Sequence, residues 1–300
     1  MLLDRKIWAV LSGKGGTGKT MLAASMAVHL AELGFKVLLM DADLGGANIH
    51  TLLGMERPGS TLQAFIDKEI EHIEEAAMEC GVQNLRVICA PLDPLKASQI
   101  RYQQKRKIIR QLNTLTEDVV IMDLATGAGL TQAELFLAAD LGVFVLTPEP
   151  TSLENAYRFL RMIYFHKVRE LAGWKKFEKS LPGKLLNSST SPVKFMEELK
   201  KISPKWHKQI TKRMENFTPG IVVNQVRTKE DRALGADVSL VCKRYFGLTV
   251  PFLGAIEYDE CVLQAARHRK PVIKDYPHSR PSRSIRQITE NLLALSRRPT

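Results

Sequence analysis

The sequence predicts a three-layer α/β fold, with a mainly parallel central sheet and helices on both faces. Two observations predict it. Short apolar runs alternate with helical patterns, and these runs lack the polar alternation of strands that face water on one side. Strands covered on both faces are typical of parallel sheets connected by helices. The predicted strands are Ile7–Leu11, Val37–Met40, Val87–Cys89, Val119–Met122, Val143–Leu146, Ile221–Val223 and Val250–Leu253.

The charge of the chain is unevenly distributed. The 300 residues are 45% hydrophobic and 25% charged, which is ordinary for a globular protein with a sizeable core. The net charge of +11 is concentrated in residues 165–218, with 13 Lys and Arg against 5 acidic residues, and in residues 267–300, with 9 against 2. Such segments can contact anionic lipid, nucleic acid or an acidic protein, or they can be solvated helical surfaces.

Targeting signals and cysteine motifs are not found in the sequence. No apolar run reaches the roughly 18 residues of a membrane span, and the first residues do not form a signal peptide. The four cysteines show no CxxC spacing, so we expect reduced thiols, no disulfide framework and no zinc site. These observations predict a cytoplasmic protein.

The segment Gly13-Lys14-Gly15-Gly16-Thr17-Gly18-Lys19-Thr20 follows the first predicted strand and opens a helix, which is the context of a Walker A loop. Its glycines permit backbone angles that let successive amides point at phosphate oxygens, beside the positive end of the helix dipole. Lys19 is placed to bridge the β- and γ-phosphates, and the Thr20 hydroxyl to ligate Mg²⁺. The loop therefore predicts binding of a nucleotide with Mg²⁺.

Polar residues follow three further strands, and all of them are expected at the same edge of the sheet as this loop. Asp41 and Asp43 follow the second strand, and Asp123 ends the fourth, where a carboxylate near Thr20 can hold a water of Mg²⁺. Asn224 ends the sixth and carries a donor and an acceptor that can pair with adenine. No NKxD motif accompanies it, which favours ATP over GTP.

The second lysine of the loop, Lys14, makes the segment resemble the deviant Walker A signature of the MinD/ParA family of P-loop ATPases. In that family this lysine reaches the phosphates of a dimer partner, so the resemblance implies an ATP-dependent homodimer. Asp43 matches the switch I aspartate that orients the attacking water, and Asn48 the switch I asparagine. Asp41 is expected to support the P-loop or the water shell of the metal.

Switch II and the base pocket extend the resemblance. Asp123 to Gly127 matches the DxxxG motif, in which the amide of Gly127 senses the γ-phosphate. Ala125 and Thr126 depart from the usual residues, and this departure affects the expected rate of hydrolysis more than the binding of nucleotide. The resemblance also implies that Arg227 stacks on the base or contacts a partner. Pro251, taken to follow the last strand, matches a residue that lines the adenine pocket.

The resemblance covers most of 5–165 and 219–276, and the segments 147–152, 253–259 and 43–54 are most similar to the MinD/FlhG branch. FlhG, also called FleN, regulates flagellar number and placement. The resemblance implies a slow, partner-stimulated ATPase that acts as a positioning switch and associates reversibly with the inner face of the membrane. FlhG relatives carry an N-terminal arm that binds a partner. The first predicted strand of this sequence starts after about six residues, so such an arm is not expected here.

Residues 165–218 show no strand pattern, and turn-forming clusters divide them into helical pieces. We therefore predict a P-loop ATPase domain over residues 1–276, interrupted by a basic helical insertion at about 165–218 and followed by a basic C-terminal helix and tail at 277–300. Standard MinD and FlhG lack such an insertion. Its aromatic residues lie among lysines and offer a candidate contact surface: Trp174, Phe177, Phe195 and Trp206.

The C-terminal helix is the usual membrane anchor in MinD and FlhG. Here its apolar stripe is narrow and has no aromatic residue, which favours a helix packed on the sheet. The stripe consists of Ile285, Ile288, Leu292 and Leu295.

Two alternatives follow from the same residues. The first is a ParA-like ATPase whose insertion binds nucleic acid nonspecifically and in a salt-dependent way. The second is a metabolic enzyme on the same loop, such as a dethiobiotin-synthetase-like ligase or a nitrogenase-type iron protein. The iron protein is disfavoured because Cys89 and the region after Asp123 do not supply cysteines that could share a cluster across a dimer.

Overall fold

An eight-stranded sheet forms the centre of the computed structural model, which describes residues 5–43, 46, 48–56, 59–90, 102–127, 129–186, 190–215 and 217–296. The strands are β1 (Lys6–Leu11), β2 (Val37–Ala42), β3 (Ala77–Glu79), β4 (Leu85–Ile88), β5 (Val119–Leu124), β6 (Leu141–Leu146), β7 (Gly220–Val226) and β8 (Phe252–Glu257). Their order across the sheet is β3-β4-β2-β5-β1-β6-β7-β8. All neighbours are parallel except β3 and β4. The predicted fold class is confirmed.

Two strands differ from the sequence prediction. The short edge strand β3 was not predicted, because its three residues, two half-buried and one exposed, form no apolar run. The last strand begins at Phe252 and continues to Glu257, whereas the apolar run Val250–Leu253 placed it earlier. Pro251 has no N–H to donate to a ladder, and its carbonyl instead accepts the amide of Ile221 (2.9 Å) at the entry to β7. Pro251 therefore precedes the strand that it was predicted to follow.

Helices cover both faces of the sheet, as expected for strands that are buried on both sides. The described α-helices are α1 (Lys19–Glu32), α2 (Ile49–Leu52), α3 (Leu62–Ile66), α4 (Tyr102–Leu112), α5 (Leu130–Ala138), α6 (Pro150–Arg169), α7 (Trp174–Glu178), α8 (Pro192–Ile202), α9 (Pro204–Glu215), α10 (Lys229–Phe246), α11 (Glu260–Arg267), α12 (Val272–Asp275) and α13 (Arg280–Ser296). One layer contains α1, α12 and α13, and the other contains α4 to α10.

Helix α1 joins the P-loop to the rest of the core. Its alanines Ala23, Ala24 and Ala27 are fully buried, because the helix lies between the sheet and helices α12 and α13. Small side chains allow such close approach without loss of helix propensity. The helix ends at Glu32, and Gly34 follows with a φ of +90°, a backbone conformation that commonly ends a helix. The N-terminus of α1 is thus fixed against the sheet edge.

The C-terminal helix α13 is part of this core. Its residues Ile285, Ile288 and Leu292 are at most 1% exposed and pack against β8 and α1. The Asn291 amide donates to the carbonyl of Leu253 (2.8 Å). The prediction of a helix packed on the sheet is confirmed, while Arg297 to Thr300 lie outside the described residues. No helix in the described part of the chain has the length and apolarity needed to cross a bilayer.

The segment 165–218 is helical wherever it is described: the end of α6, then α7, a 3-10 turn at Gly183–Leu186, α8 and α9. Trp174 and Phe195 are fully buried, and the ring of Trp206 lies 5.3 Å from that of Trp174 and 5.2 Å from that of Phe177. Trp174 and Phe195 therefore belong to the interior of the segment, while Phe177 and Trp206 are half-buried, and a contact surface on the insertion stays a prediction. The domain boundaries at 165–218 and 276 stay predictions.

Candidate functional site

The glycine-rich loop connects β1 to α1 at the carboxyl edge of the sheet. Gly16 and Gly18 have φ values of +77° and +82°, a region that other residues rarely adopt. A Cβ on Gly18 would lie 2.2 Å from the Asn224 amide nitrogen, and one on Gly13 would lie 2.6 Å from the Cβ of Asn155. Gly15 has no neighbouring atom within 4 Å of such a Cβ, so the loop backbone faces open space.

A cavity of about 480 Å³ lies against this loop, within the size range of small-molecule sites. The predicted residues Gly15 to Thr20 line it together with Asp43 and Asn48. Further lining residues come from the start of the P-loop, α1, the switch I loop, α2, switch II and α11: Ser12, Met21, Gly46, Thr51, Leu52, Thr126 and Ala266. The P-loop and the switch I residues that were expected at one edge of the sheet therefore meet around one cavity.

Lys19 and Asp123 form a buried ion pair at the base of the cavity, with 2.6 Å between Nζ and Oδ1. Strand β5 lies next to β1, and Asp123 is in register with Val10, which brings the carboxylate to the start of α1. Lys19 Nζ also lies 3.3 Å from the Thr20 hydroxyl. Burial raises the pKa of Asp123, while the Lys19 ammonium and the Thr20 hydroxyl oppose that shift.

Asp41 organises the loop that carries Asp43. Its carboxylate accepts backbone amides from Asp43 (3.0 Å), Asn48 (3.1 Å) and Ile49 (3.3 Å). Burial, with a contribution from Asp123, raises the pKa of Asp41 to about 7. Asp43 itself is half-buried and lines the cavity, and the Asn48 amide donates to the carbonyl of Gly46 (2.6 Å). Among the described residues Asp41 thus holds the switch I backbone, and its predicted support of the P-loop or of the water shell of the metal stays a prediction.

Lys14 is held within its own chain. Its ammonium pairs with the carboxylate of Glu149, the residue before α6, and its side chain is 33% exposed. Gly127, with a φ of +101°, donates its amide to the carbonyl of Ser12 (3.1 Å), which joins switch II to the P-loop. The roles predicted for Lys14 in a dimer partner and for Gly127 at the γ-phosphate stay predictions.

Asn224 ties β7 to the P-loop. Its amide donates to the carbonyl of Thr17 (2.7 Å), and its oxygen accepts the amide of Gln225 (2.9 Å). Gln225 has a φ of +60°, and its side chain donates to the carbonyl of Gly16 (2.8 Å). Sequence reasoning missed Gln225. These bonds leave one N–H and one lone pair of the Asn224 amide for a base, so the adenine contact remains possible and stays a prediction.

Two more residues were predicted at the base pocket. Arg227 lies at the carboxyl edge of the sheet, where its contact with the base or with a partner stays a prediction, and Pro251 does not. Arg227 follows β7, and its guanidinium lies 3.6 Å from the centroid of the Tyr258 ring, just beyond β8. Pro251 lies at the amino end of β8, at the opposite edge of the sheet from the P-loop, so its assignment to the pocket was wrong. Tyr258, which the sequence reasoning did not assign, occupies the carboxyl end.

A glycine-rich loop between the first strand and helix, a buried Lys–Asp pair and carboxylates on the two adjacent strands define a P-loop nucleoside triphosphatase. The family model described as ParA, NUBPL iron-transfer P-loop NTPase, matches residues 4–172. The chain belongs to this family.

Relatives place the chain within the family. Antiactivator FleN of Pseudomonas aeruginosa is 26% identical over 290 residues, which cover 96% of this chain and 86% of FleN. Flagellum site-determining protein YlxH of Helicobacter pylori is 24% identical and covers 97% of this chain and 83% of YlxH. The structure of septum site-determining protein MinD from Pyrococcus horikoshii, complexed with Mg-ADP, superposes with a TM-score of 0.69 at 20% identity, covering 98% of each chain. The predicted class, a MinD/ParA-family ATPase near the FlhG branch, is confirmed.

Proposed function

We propose that this chain is an ATP-dependent switch that dimerises with ATP bound, regulates the position or number of a cellular structure, and is reset by slow hydrolysis. The observation that carries the proposal is the convergence of Lys19, Thr20 and Asp123 beneath a P-loop that bears a second lysine, Lys14. The names of the relatives, a flagellar antiactivator and site-determining proteins, support the regulatory part.

The residues around the cavity fit a nucleoside phosphate with Mg²⁺. Backbone amides of the loop and the N-terminus of α1 offer donors to phosphate oxygens. The hydroxyl of Thr20 and the carboxylates of Asp43 and Asp123 are the hard oxygen donors that Mg²⁺ prefers. The bound ion would neutralise phosphate charge during transfer. MinD of Pyrococcus horikoshii, which has the same fold, is complexed with Mg-ADP.

Each polar side chain has a distinct task in this proposal. Lys19 binds the β- and γ-phosphates and leaves its pairing with Asp123. Asp43, on a loop held by Asp41, orients the attacking water. Lys14 leaves Glu149 and places its charge on the phosphates of the partner subunit, where negative charge develops in the transition state. Asn224, without an accompanying NKxD motif, supports the choice of ATP.

Size-exclusion chromatography with light scattering tests the switch. The wild type is expected to be monomeric with ADP, and the Asp43→Ala variant to remain a dimer with ATP because hydrolysis is blocked. Lys14→Ala is expected to bind ATP as a monomer. Asp237→Ala, on the exposed surface of α10, is the control and should behave as the wild type. An Asp43→Ala variant that binds ATP tightly and stays monomeric contradicts the proposal.

The proposal includes a protein partner that stimulates hydrolysis and a cytoplasmic location with reversible association at an anionic membrane surface. The exposed lysines Lys205, Lys208 and Lys212 of α9 support contact with an anionic surface. Co-sedimentation with anionic liposomes, with ATP and with ADP, tests this part. Retention on duplex DNA with a steep salt dependence, and none on liposomes, would support the ParA-like alternative instead.

A further inference from the structure

Helix α10 presents an apolar patch to solvent in its C-terminal half. Eight large hydrophobic side chains are exposed among the described residues, and three of them lie within six consecutive positions of this helix: Leu240 (47%), Val241 (41%) and Tyr245 (37%). The opposite side of the helix carries the buried Val238 and Cys242 and packs on β7 and β8. Exposed apolar side chains that are grouped in this way indicate contact with another molecule.

This patch is separate from the nucleotide site. Helix α10 follows β7, so it begins near the carboxyl edge of the sheet, where the P-loop lies, and runs toward the amino edge. At about 1.5 Å per residue, positions 237–244 lie about 12 to 22 Å along the helix axis from its start. The described residues that line the nucleotide cavity include none from α10. A partner on this part of α10 can therefore bind without contacting the nucleotide.

Two charged side chains lie on the same side of the helix as Leu240 and Val241. Asp237 and Arg244 complete the spacing i, i+3, i+4, i+7, which places the four residues on one helical face. All four are exposed, and we call them the α10 face. No oppositely charged atom among the described residues lies within 4.0 Å of the Asp237 carboxylate or the Arg244 guanidinium. Both charges are therefore available to a partner.

The α10 face is complementary to itself. Asp237 and Arg244 lie three and a half positions on either side of the midpoint between Leu240 and Val241. When two identical helices pack antiparallel about a two-fold axis at this midpoint, Asp237 of each copy lies beside Arg244 of the other, and the apolar side chains of both copies meet at the axis. Nucleic acid or an anionic bilayer, by contrast, would repel Asp237.

We propose that α10 packs antiparallel against α10 of a second copy of this chain, with Leu240 and Val241 at the two-fold axis and two Asp237–Arg244 pairs beside it. Tyr245, one turn after Val241, extends the apolar contact. The contact comprises few side chains, whereas stable interfaces bury about 800 Å² on each partner, so the association is weak. Dilute protein, as used for size-exclusion chromatography, therefore stays monomeric with ADP, and Asp237→Ala has no effect there.

The contact also affects the ATP-bound state, and only this consequence rests on the proposed function. A dimer that forms at the P-loop edge carries two α10 faces, one on each chain. Because the two contacts use different surfaces of the chain, they can form at the same time. Two-fold contacts at two different surfaces join such dimers into larger assemblies.

Sedimentation equilibrium of the ADP-saturated chain tests the contact without ATP-driven dimerisation. Over concentrations from about 10 to about 500 µM we expect a monomer–dimer equilibrium. Asp237→Arg and Arg244→Asp each place like charges opposite one another at two positions, so each should weaken the association about tenfold or more. An equal mixture of these two variants should associate as the wild type does, because every arginine then faces an aspartate.

A second pair of variants tests the apolar part of the contact. Leu240→Ala removes a side chain at the two-fold axis and should also weaken the association about tenfold. Leu263→Ala is the matched control, since Leu263 is a similarly exposed leucine (52%) on α11, outside the α10 face, and this variant should associate as the wild type does. Thermal unfolding of each variant verifies that it is folded.

Three results would overturn the proposal: a wild type that stays monomeric up to about 500 µM, equal association by the wild type and Asp237→Arg, or a mixture of the two charge variants that stays monomeric while the wild type associates. A monomeric wild type that pellets with anionic vesicles through Leu240 would assign the face to lipid instead. Because the assay uses ADP-loaded protein, dimerisation with ATP can succeed or fail independently of its result.

Discussion

Asn224→Ala separates two roles for a buried amide at the edge of the sheet. The amide is only 4% exposed and joins two segments that are 207 residues apart, since it donates to the carbonyl of Thr17. Its oxygen accepts the amide of Gln225, so the same side chain fixes the end of β7 as well. We expect that its main contribution is to the shape of the P-loop, with recognition of the base secondary.

The size of the effect follows from the groups that lose their partner. The substitution leaves the Thr17 carbonyl and the Gln225 amide without a hydrogen bond, and a buried polar group left in this state costs about 1–3 kcal/mol. Part of this cost appears as weaker nucleotide binding. Without Asn224 the P-loop is less ordered, and nucleotide must supply the free energy that orders it around the phosphates. A loss of about 1.4 kcal/mol corresponds to a tenfold lower affinity.

Calorimetric titration of ADP and of GDP into the wild type and the variant measures both roles. If Asn224 holds the loop, both affinities fall by the same factor of roughly ten, because the phosphates contact the loop in either nucleotide. Gln225→Ala is the matched control. It removes a partly exposed bond to the carbonyl of Gly16 and should reduce both affinities by a smaller factor. A variant that loses affinity for ADP alone would refute this reasoning and assign Asn224 to the base.

Three further substitutions test other parts of the structure. Glu149→Gln breaks an exposed pair with Lys14 and should change the free energy of unfolding by less than about 1 kcal/mol, while light scattering shows dimers at lower ATP concentration. Trp174→Ala removes a ring that is 1% exposed and should cost about 3–5 kcal/mol in chemical denaturation, whereas the exposed Lys175→Ala should cost less than about 0.5 kcal/mol. Among the described residues, neither ring nitrogen of the buried His29 has a hydrogen-bond partner. Burial, with Arg286, lowers the pKa of His29, so the folded state favours the neutral ring. Its contribution to stability is complete above pH 6.5 and is lost as the pH falls below it, by at most about 1.4 kcal/mol per pH unit, and urea denaturation should show a smaller acid loss for His29→Gln. Equal acid losses in the two proteins would contradict this interpretation of His29.

The local motifs of the site could be predicted from sequence because chain connectivity positions them. The P-loop joins β1 directly to α1, so eight consecutive residues determine where Lys19 and Thr20 lie. The polar residue at the end of each parallel strand must lie at one edge of the sheet, which placed Asp43 and Asp123 correctly.

Contacts between distant segments could not be predicted in this way. Glu149 and Lys14 are 135 residues apart, and Gln225 and Gly16 are 209 apart, so no local pattern indicates that they meet. Pro251 was misplaced for a related reason. In a strand that is covered on both faces, an apolar run does not show at which residue the strand begins to pair. Only the proline indicated that pairing begins after it.

The aromatic residues of 165–218 show a different limit. Trp174 and Phe195 stand among exposed lysines, a pattern that fits an amphipathic helix packed on a core and a contact surface equally well. Only the interior ring contacts, such as the 6.1 Å between Trp174 and Phe195, distinguish the two. Basic side chains of the segment, such as Lys205, Lys208 and Lys212, are exposed.

Both lysines of the P-loop form ion pairs within the chain, and these pairs affect the affinity for nucleotide. A lysine that binds phosphate must first give up its carboxylate partner. The measured affinity for nucleotide therefore equals the gain from the phosphate contact minus the loss of the ion pair. The two exchanges are unequal. Lys14 and Glu149 are partly exposed and can separate at little cost, whereas Lys19 and Asp123 are at most 5% exposed, and a buried charge that loses its partner costs about 3–5 kcal/mol. We therefore expect Lys19 to leave Asp123 only when phosphate and cation bind together, and Lys14 to separate from Glu149 at a lower cost.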